Sequence, residues 1–200
     1  MNILLHVCCG PCAITPLAAI RAAGHEAQGY FVNPNIHPFK EFQRRIEALE
    51  ELSRQSGFQV EYELEYGLRE YLRQVVFHEE RESRCGLCYA MRLRPTAEKA
   101  LAIGADAFSS TLLYSRYQNH DLIRQQGEEL AIEFGIPFYY EDFRWGWQEG
   151  IDKSIGMGLY RQPYCGCIYS EQERYDKTRK GRGRIKESVR ESPRQEETLG

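Results

Sequence analysis

The 200-residue chain has no run approaching the ~18 apolar residues of a membrane span. Its opening residues 1–7 are apolar, but they are too few for a signal sequence and lack a basic leader. Both absences point to a cytoplasmic protein without a membrane partner, in which thiols stay reduced. A phosphate loop of the form G-x-x-x-x-G-K-[ST] is missing, and no Ser-Gly-Gly stretch follows the first apolar segment. An ATP-using enzyme is therefore disfavoured. Neither charge sign dominates: 26 Lys and Arg face 29 Asp and Glu, for a net charge of −3. A nucleic-acid partner would have to be held by a local basic patch, not by the field of the whole molecule. There is no internal repeat, and no cysteine lies outside three tight groups.

Those groups are the chemistry of the chain: Cys8-Cys9-Gly10-Pro11-Cys12, Cys85-Gly86-Leu87-Cys88 and Cys165-Gly166-Cys167. A cysteine used only for packing behaves as a small hydrophobe and needs no sulfur neighbour. Short spacing lets sulfurs converge on one point, as a metal centre or a thiol–disulfide couple requires. An odd count of seven also disfavours a fully paired disulfide framework. Cys9-Gly10-Pro11-Cys12 between a strand and a helix fits a thioredoxin-like dithiol, whose thiolate a helix N-terminus stabilises. The third thiol at Cys8 and the two further groups count against that reading. Cys85 and Cys88 together with Cys8 and Cys9 supply four thiolates, the set for a four-iron cluster or for a structural zinc in a non-catalytic nucleic-acid-binding module. Cys165 and Cys167 are too close for a relaxed disulfide within one extended segment. A strained, easily reduced pair is compatible with that spacing, as is simple packing or ligation of the same metal.

Composition that is 42% hydrophobic and 28% charged supports one core and one domain. Strand patterns cover residues 2–7, 27–32, 59–64, 107–113 and 138–140. Helical patterns cover 13–23, a segment with Phe42, Ile46, Leu49 and Leu52 on one face and Arg44, Arg45, Glu47, Glu50 and Glu51 elsewhere, then 88–103 and 121–134. Gly24, Gly104 and Gly135 stand where helices stop. Strands separated by helices in this order predict an α/β fold, a parallel doubly wound sheet with helices on both faces. Chemistry in such sheets gathers at the carboxyl ends of the strands, where the first cysteine group sits. The expected domain is 1–176. Residues 177–200 are charged and lack aromatics, which predicts a flexible tail, its basic part either a solubility segment or a nucleic-acid arm.

Four motifs in order resemble the QueH family of epoxyqueuosine reductases: Leu4-Leu5-His6-Val7-Cys8-Cys9-Gly10-Pro11-Cys12, Arg84-Cys85-Gly86-Leu87-Cys88-Tyr89-Ala90-Met91-Arg92-Leu93, Phe108-Ser109-Ser110-Thr111-Leu112-Leu113-Tyr114-Ser115, and Tyr164-Cys165-Gly166-Cys167-Ile168-Tyr169-Ser170. The likeness spans roughly residues 1–175. Arg116 stands where the family pattern would place a proline, and the basic tail is not part of that pattern. The resemblance implies a Rossmann-like sheet of the HUP type and a cobalamin-independent deoxygenation of epoxyqueuosine at the wobble position of tRNA, which yields queuosine. It further implies a [4Fe-4S] cluster on Cys8, Cys9, Cys85 and Cys88, a redox-active pair at Cys165 and Cys167, and an additional mononuclear iron for which Cys12 is a candidate ligand. The partners implied are the tRNA and an electron donor of ferredoxin or flavodoxin type. His6, Tyr114 and Tyr169 lie beside motif positions and are candidate proton donors, although a buried His or Tyr is more often a packed, hydrogen-bonded core residue. For tRNA contacts the candidates are Arg92, Arg94, Arg116, Tyr117, Gln118, Trp145, Trp147 and the stretch 180–184.

Overall fold

A computed structural model of the chain describes residues 1–178. Four parallel strands form one sheet: β1 (Asn2–His6), β2 (Glu26–Val32), β3 (Val60–Glu63) and β4 (Ala107–Ser110), in the order β3-β2-β1-β4. β1 is central, so Ile3, Leu4 and Leu5 are buried on both faces, and its apolar run does not alternate. The helices are α1 (Gly10–Ala22), α2 (Phe39–Ser56), α3 (Leu68–Val75), α4 (Arg81–Ala102), α5 (His120–Phe134), α6 (Trp147–Gly156) and α7 (Ile168–Tyr175). α1 packs on α2 and α6, while α4 packs on α5 and crosses β1, β2 and β4. The expected parallel α/β architecture is therefore present. No helix among the described residues is long and apolar enough to cross a membrane.

The connection from β1 to α1 decides where the first thiols sit. The strand ends at His6, and α1 starts four residues later with Pro11 in its first turn, where a missing N–H costs nothing. Gly10 allows this tight entry: a Cβ there would lie 2.3 Å from the Ala48 carbonyl oxygen of α2. The absent side chain brings the cysteine-bearing turn of α1 against the middle of α2.

Several boundaries differ from the sequence expectation. The strand expected at 138–140 is a single parallel bridge between Phe108 and Phe138. Pro137 lends only its carbonyl (to Phe108 N–H, 3.0 Å) because it has no N–H of its own to extend a ladder. β4 stops at Ser110, whose hydroxyl accepts the Leu112 N–H (3.1 Å) and caps a 3-10 turn over Thr111–Tyr114. The helix expected over 88–103 begins at Arg81, so Cys85 and Cys88 lie inside it and do not open it. Trp145 belongs to a 3-10 turn (Phe143–Gly146) and Trp147 to the start of α6, elements that the sequence patterns do not include. α3, α6 and α7 have only 8 to 10 residues each, too few for a sustained period to stand out. The expected tail, apart from residues 177 and 178, lies outside the described residues.

Candidate metal and redox centre

β1 and β4 are adjacent, but their crossovers leave to opposite sides, so their carboxyl ends flank the topological switch point of the sheet. Cys8 and Cys9 follow β1 at this point, and Thr111 follows β4. The Cys8 backbone N–H donates to Thr111 Oγ1 (3.2 Å), and that hydroxyl donates to Cys8 Sγ (3.5 Å). The first turn of α1 then returns Cys12 toward the same point. The Sγ atoms of Cys8, Cys9 and Cys12 all lie within 4.8 Å of one another, and all three residues are buried. Hydrogen bonds from the Cys12 and Cys9 thiols hold Cys8 well below the usual thiol pKa. Cys9 is raised by burial, and Cys12 by its bond to Cys8. One sulfur of the triad thus carries the charge while its neighbours donate to it.

The other four thiols arrive from two different elements. Cys85 and Cys88 are three residues apart on α4 and so share one helical face. Cys165 and Cys167 sit on the turn that leads into α7. A cavity of about 620 Å³ joins the groups, with Cys8, Cys12, Cys85, Cys165 and Cys167 all in its wall. Cys88 is inside the electrostatic reach of Cys85, Cys165 and Cys167. Its thiol is pushed up to about 11, burial being the chief cause. The fold therefore gathers the three sequence groups around one space. At the spacing that unites Cys8, Cys9 and Cys12, however, Cys85 and Cys88 do not join them. All seven cysteines are free thiols.

Arg45 and Arg92, two of the three arginines buried among the described residues, set the charge around the triad and Cys88. Arg45 pairs with Glu41 on α2 (2.8 Å) and donates to the carbonyls of Cys165 (3.0 Å) and Tyr164 (2.9 Å). It straps the dithiol turn to α2, and the Gly166 carbonyl of the same turn accepts from His37 N–H (2.8 Å). Arg92 on α4 is 1% exposed, donates through Nε to Asn35 Oδ1 (2.7 Å), and has no carboxylate ion-pair partner among the described residues. Its charge instead favours the thiolate forms of Cys8 and Cys88. A buried cation needs a compensating anion. Here the available anions are sulfurs, which is the donor chemistry of a thiolate-bound metal centre.

The Cys165–Cys167 pair is electronically unequal. Cys167 is lowered to about 5, first by the hydrogen bond from the Cys165 thiol, then by the Ser170 hydroxyl and N–H and by Tyr71. Cys167 is the N-cap of α7, so Ser170 N–H points at its sulfur (3.4 Å). Cys165 is pushed well up by the same bond to Cys167. The thiolate is the reactive form and is populated above its pKa. Iodoacetamide at pH 6 is therefore expected to alkylate Cys167 ahead of Cys165, with a rate profile that levels off above about pH 5–6. Peptide mapping across pH 4–9 reads this directly, and equal labelling with a midpoint near 8–9 contradicts it.

The remaining expected residues fall on both sides of the site. His6 is fully buried, with Nδ1 on Ser110 Oγ (2.8 Å) and Nε2 on Asn33 Oδ1 (3.2 Å), and burial lowers it to about 4. It is not in the cavity wall. Tyr114 is in the wall, but its hydroxyl donates to the Trp147 carbonyl (3.0 Å), and burial raises it to about 12. Tyr169 lies under the Arg84 guanidinium (5.5 Å). Arg92, expected to meet phosphate, is sealed in the core, and Arg94 is exposed but paired with Glu133 (2.5 Å). Tyr117, Gln118 and Trp147 do line the cavity, whereas Trp145 is exposed elsewhere. The stretch 180–184 lies outside the described residues. Sequence reasoning missed Thr111, Gln162 (Nε2 to Cys12 Sγ, 3.1 Å), Arg161 and Arg174, and it placed Arg45 off the buried face. The one available signal for Arg45 was Glu41, one turn earlier on the same helix face.

Comparison with known proteins places the chain in a family. A family model described as "Epoxyqueuosine reductase QueH" matches residues 3–173. A protein of that name from Dehalococcoides mccartyi is 39% identical over 176 residues, covering 88% of this chain and 96% of the relative. The one from Thermotoga maritima is 35% identical over 184 residues, covering 88% and 93%. The Haemophilus influenzae protein is 33% identical over 192 residues, covering 92% and 77%. In fold, the chain is similar to a solved structure from Methanocaldococcus jannaschii, described as a predicted subunit of tRNA methyltransferase. The TM-score is 0.56 at 11% identity, covering 78% of this chain and 74% of that one. With the thiols gathered at the switch point of a parallel sheet and the match spanning nearly the whole sequence, the chain belongs to the QueH family of epoxyqueuosine reductases, and is an oxidoreductase.

Proposed function

We propose that this chain deoxygenates the epoxide of epoxyqueuosine in the wobble position of tRNA to give queuosine, without cobalamin. The observation that carries this reading is the meeting of thiols from all three sequence groups around one cavity at the carboxyl ends of β1 and β4. We assign Cys8, Cys9, Cys85 and Cys88 to a [4Fe-4S] cluster and leave Cys12 for an additional iron. The residues suit such a group: the triad is close and buried, and Arg92 lacks a carboxylate that an anionic cluster would replace. When bound, the iron centre supplies electron transfer and a Lewis-acidic site for oxygen. Removing the epoxide oxygen as water requires two electrons and two protons. Oxidation of the Cys165–Cys167 dithiol to a disulfide releases that same number, so epoxide plus dithiol balances alkene, water and disulfide. An electron donor of ferredoxin or flavodoxin type would then restore the dithiol. Arg45 ties the backbone of this pair to α2.

Among the described residues five arginines line the cavity; Arg45 and Arg84 are paired with Glu41 and Glu173, and Arg81, Arg161 and Arg174 have no carboxylate ion-pair partner there. On a chain of net charge −3, this is a local cationic mouth suited to the phosphates of tRNA.

The test is anaerobic purification followed by reaction with tRNA carrying epoxyqueuosine and a chemical reductant. A brown protein containing iron and acid-labile sulfide, which forms queuosine nucleoside without added cobalamin, supports the reading. Colourless, zinc-bound protein without turnover indicates a structural zinc module instead. Metal-free protein that reduces insulin disulfides indicates a dithiol oxidoreductase.

A further inference from the structure

Tyr117 is an aromatic residue that the fold leaves 72% exposed on the wall of the site cavity. It stands edge-on to Trp147, with ring centroids 5.6 Å apart and planes at 79°. Trp147 lies in turn on Tyr114 (5.1 Å, 30°), which is buried and held by its bond to the Trp147 carbonyl. The three rings form a stair from the thiol end of the cavity to its mouth. The outer step is fixed at its backbone: Arg81 donates to the Tyr117 carbonyl (3.1 Å), and Tyr117 N–H donates to Ser115 Oγ (3.3 Å). Arg116, the residue that departs from the family pattern, places its guanidinium 5.8 Å from the Trp147 ring centroid.

Folding stability does not explain Tyr117. An exposed ring against the edge of another buries little area, and it stays wet. Its surroundings suggest what would cover it. Arg81, Arg161 and Arg174 share the wall, and the one carboxylate there among the described residues is already paired. A ligand carrying both a flat ring and phosphate fits such a surface, and an apolar peptide does not. Aromatic faces bind unpaired bases of single-stranded nucleic acid, with cations tracking the backbone.

We propose that Tyr117 and Trp147 form the stacking platform for the purine of the reacting nucleotide. On this platform the purine rests at the cavity mouth while its cyclic side arm enters the space lined by Cys8, Cys12, Cys165 and Cys167. This inference rests on the tRNA reading above and specifies how that site holds its substrate. Stacking on an aromatic contributes affinity that alanine removes by about 10- to 100-fold per base.

The experiment compares wild-type holoenzyme with Tyr117→Ala, Tyr117→Phe and Trp147→Ala, using an anticodon stem-loop that carries the modified base. Dissociation constants come from fluorescence anisotropy, and KM and kcat from queuosine formation. Tyr117→Ala is expected to raise Kd and KM about tenfold or more, with kcat changing much less, and Tyr117→Phe to recover most of that loss because it keeps the ring. Tyr117 is largely exposed, so its removal does not open the core, and an unchanged thermal midpoint verifies this. Tyr117→Ala that binds and turns over like wild type overturns the inference, as does Tyr117→Phe that fails as badly as alanine. If wild type itself neither binds nor converts the stem-loop, both the inference and the function reading fall. If wild type works and only the platform variants are silent, the platform alone is wrong.

Discussion

Replacing Cys9 or Cys88 with serine is expected to strip iron and sulfide from anaerobically purified protein and to reduce epoxide turnover to background. Serine keeps the shape but exchanges a soft thiolate for a hard, weakly acidic hydroxyl that iron–sulfur centres bind poorly. Cys8→Ser and Cys85→Ser belong to the same class. Cys12→Ser is expected to keep the cluster's absorption and lose only the additional iron. Cys165→Ser and Cys167→Ser should retain all metal yet fail to turn over repeatedly, because two electrons can no longer be held in the pair. Metal and sulfide must be counted per folded molecule: Cys9 is fully buried, and an unpartnered hydroxyl there costs about 1–3 kcal/mol. The decisive contrast is between residues 12 and 88. Cys12 lies within 4.8 Å of Cys8 and Cys9, whereas Cys88 does not. A Cys12→Ser protein that loses its cluster while Cys88→Ser keeps it would refute the ligand assignment and make the compact triad the anchor.

The second large effect is expected at Glu41, far from any sulfur ligand in sequence. Glu41 is buried and holds two partners, the Arg45 guanidinium at 2.8 Å and the Tyr160 hydroxyl at 2.5 Å, and Arg45 in turn holds the turn bearing Cys165. Glu41→Ala leaves a buried cation without its carboxylate, a change that costs about 3–5 kcal/mol. For a chain of this size the thermal midpoint falls by about 6–20 °C. Calorimetry at matched metal content measures it. Replacing both partners with apolar residues of similar volume (Glu41→Leu with Arg45→Met) should restore much of the stability, because the orphaned charge is then gone. That double variant still lacks the strap to Cys165 and Tyr164, so it is expected to stay deficient in turnover. A drop of less than about 1 kcal/mol in Glu41→Ala would mean that Arg45 is neutralised by the neighbouring thiolates instead.

Much of the fold could be read along the chain. β1 was legible because a strand covered on both faces needs an unbroken apolar run. Gly24, Gly104 and Gly135 were legible as helix stops, and each adopts a positive φ of 67° to 75° that other residues resist. Pro137 hid the weakness of the fifth strand, since an aromatic triplet reads as strand whether or not a ladder can form. In the site, Arg45 and Arg92 were misjudged for one reason. Arginine on a helix usually reaches water, and what it reaches instead is settled by partners distant in sequence. Arg45 meets carbonyls 119 and 120 positions away, and Arg92 meets Asn35.

The order of thiol groups, the placement of the first after a buried strand, and the family were determined by the sequence alone, because spacing and periodicity are local properties of a chain. Tertiary structure decided that Cys12 joins Cys8 and Cys9, that Cys167 accepts from the Cys165 thiol while capping α7 and so becomes the acidic thiol of its pair, and that aromatic steps line the way in. The first two depend on how a helix end turns and buries its thiols, and the third on the meeting of segments 33 positions apart at Tyr114 and Trp147, so burial and helix ends alter what the same side chains can do.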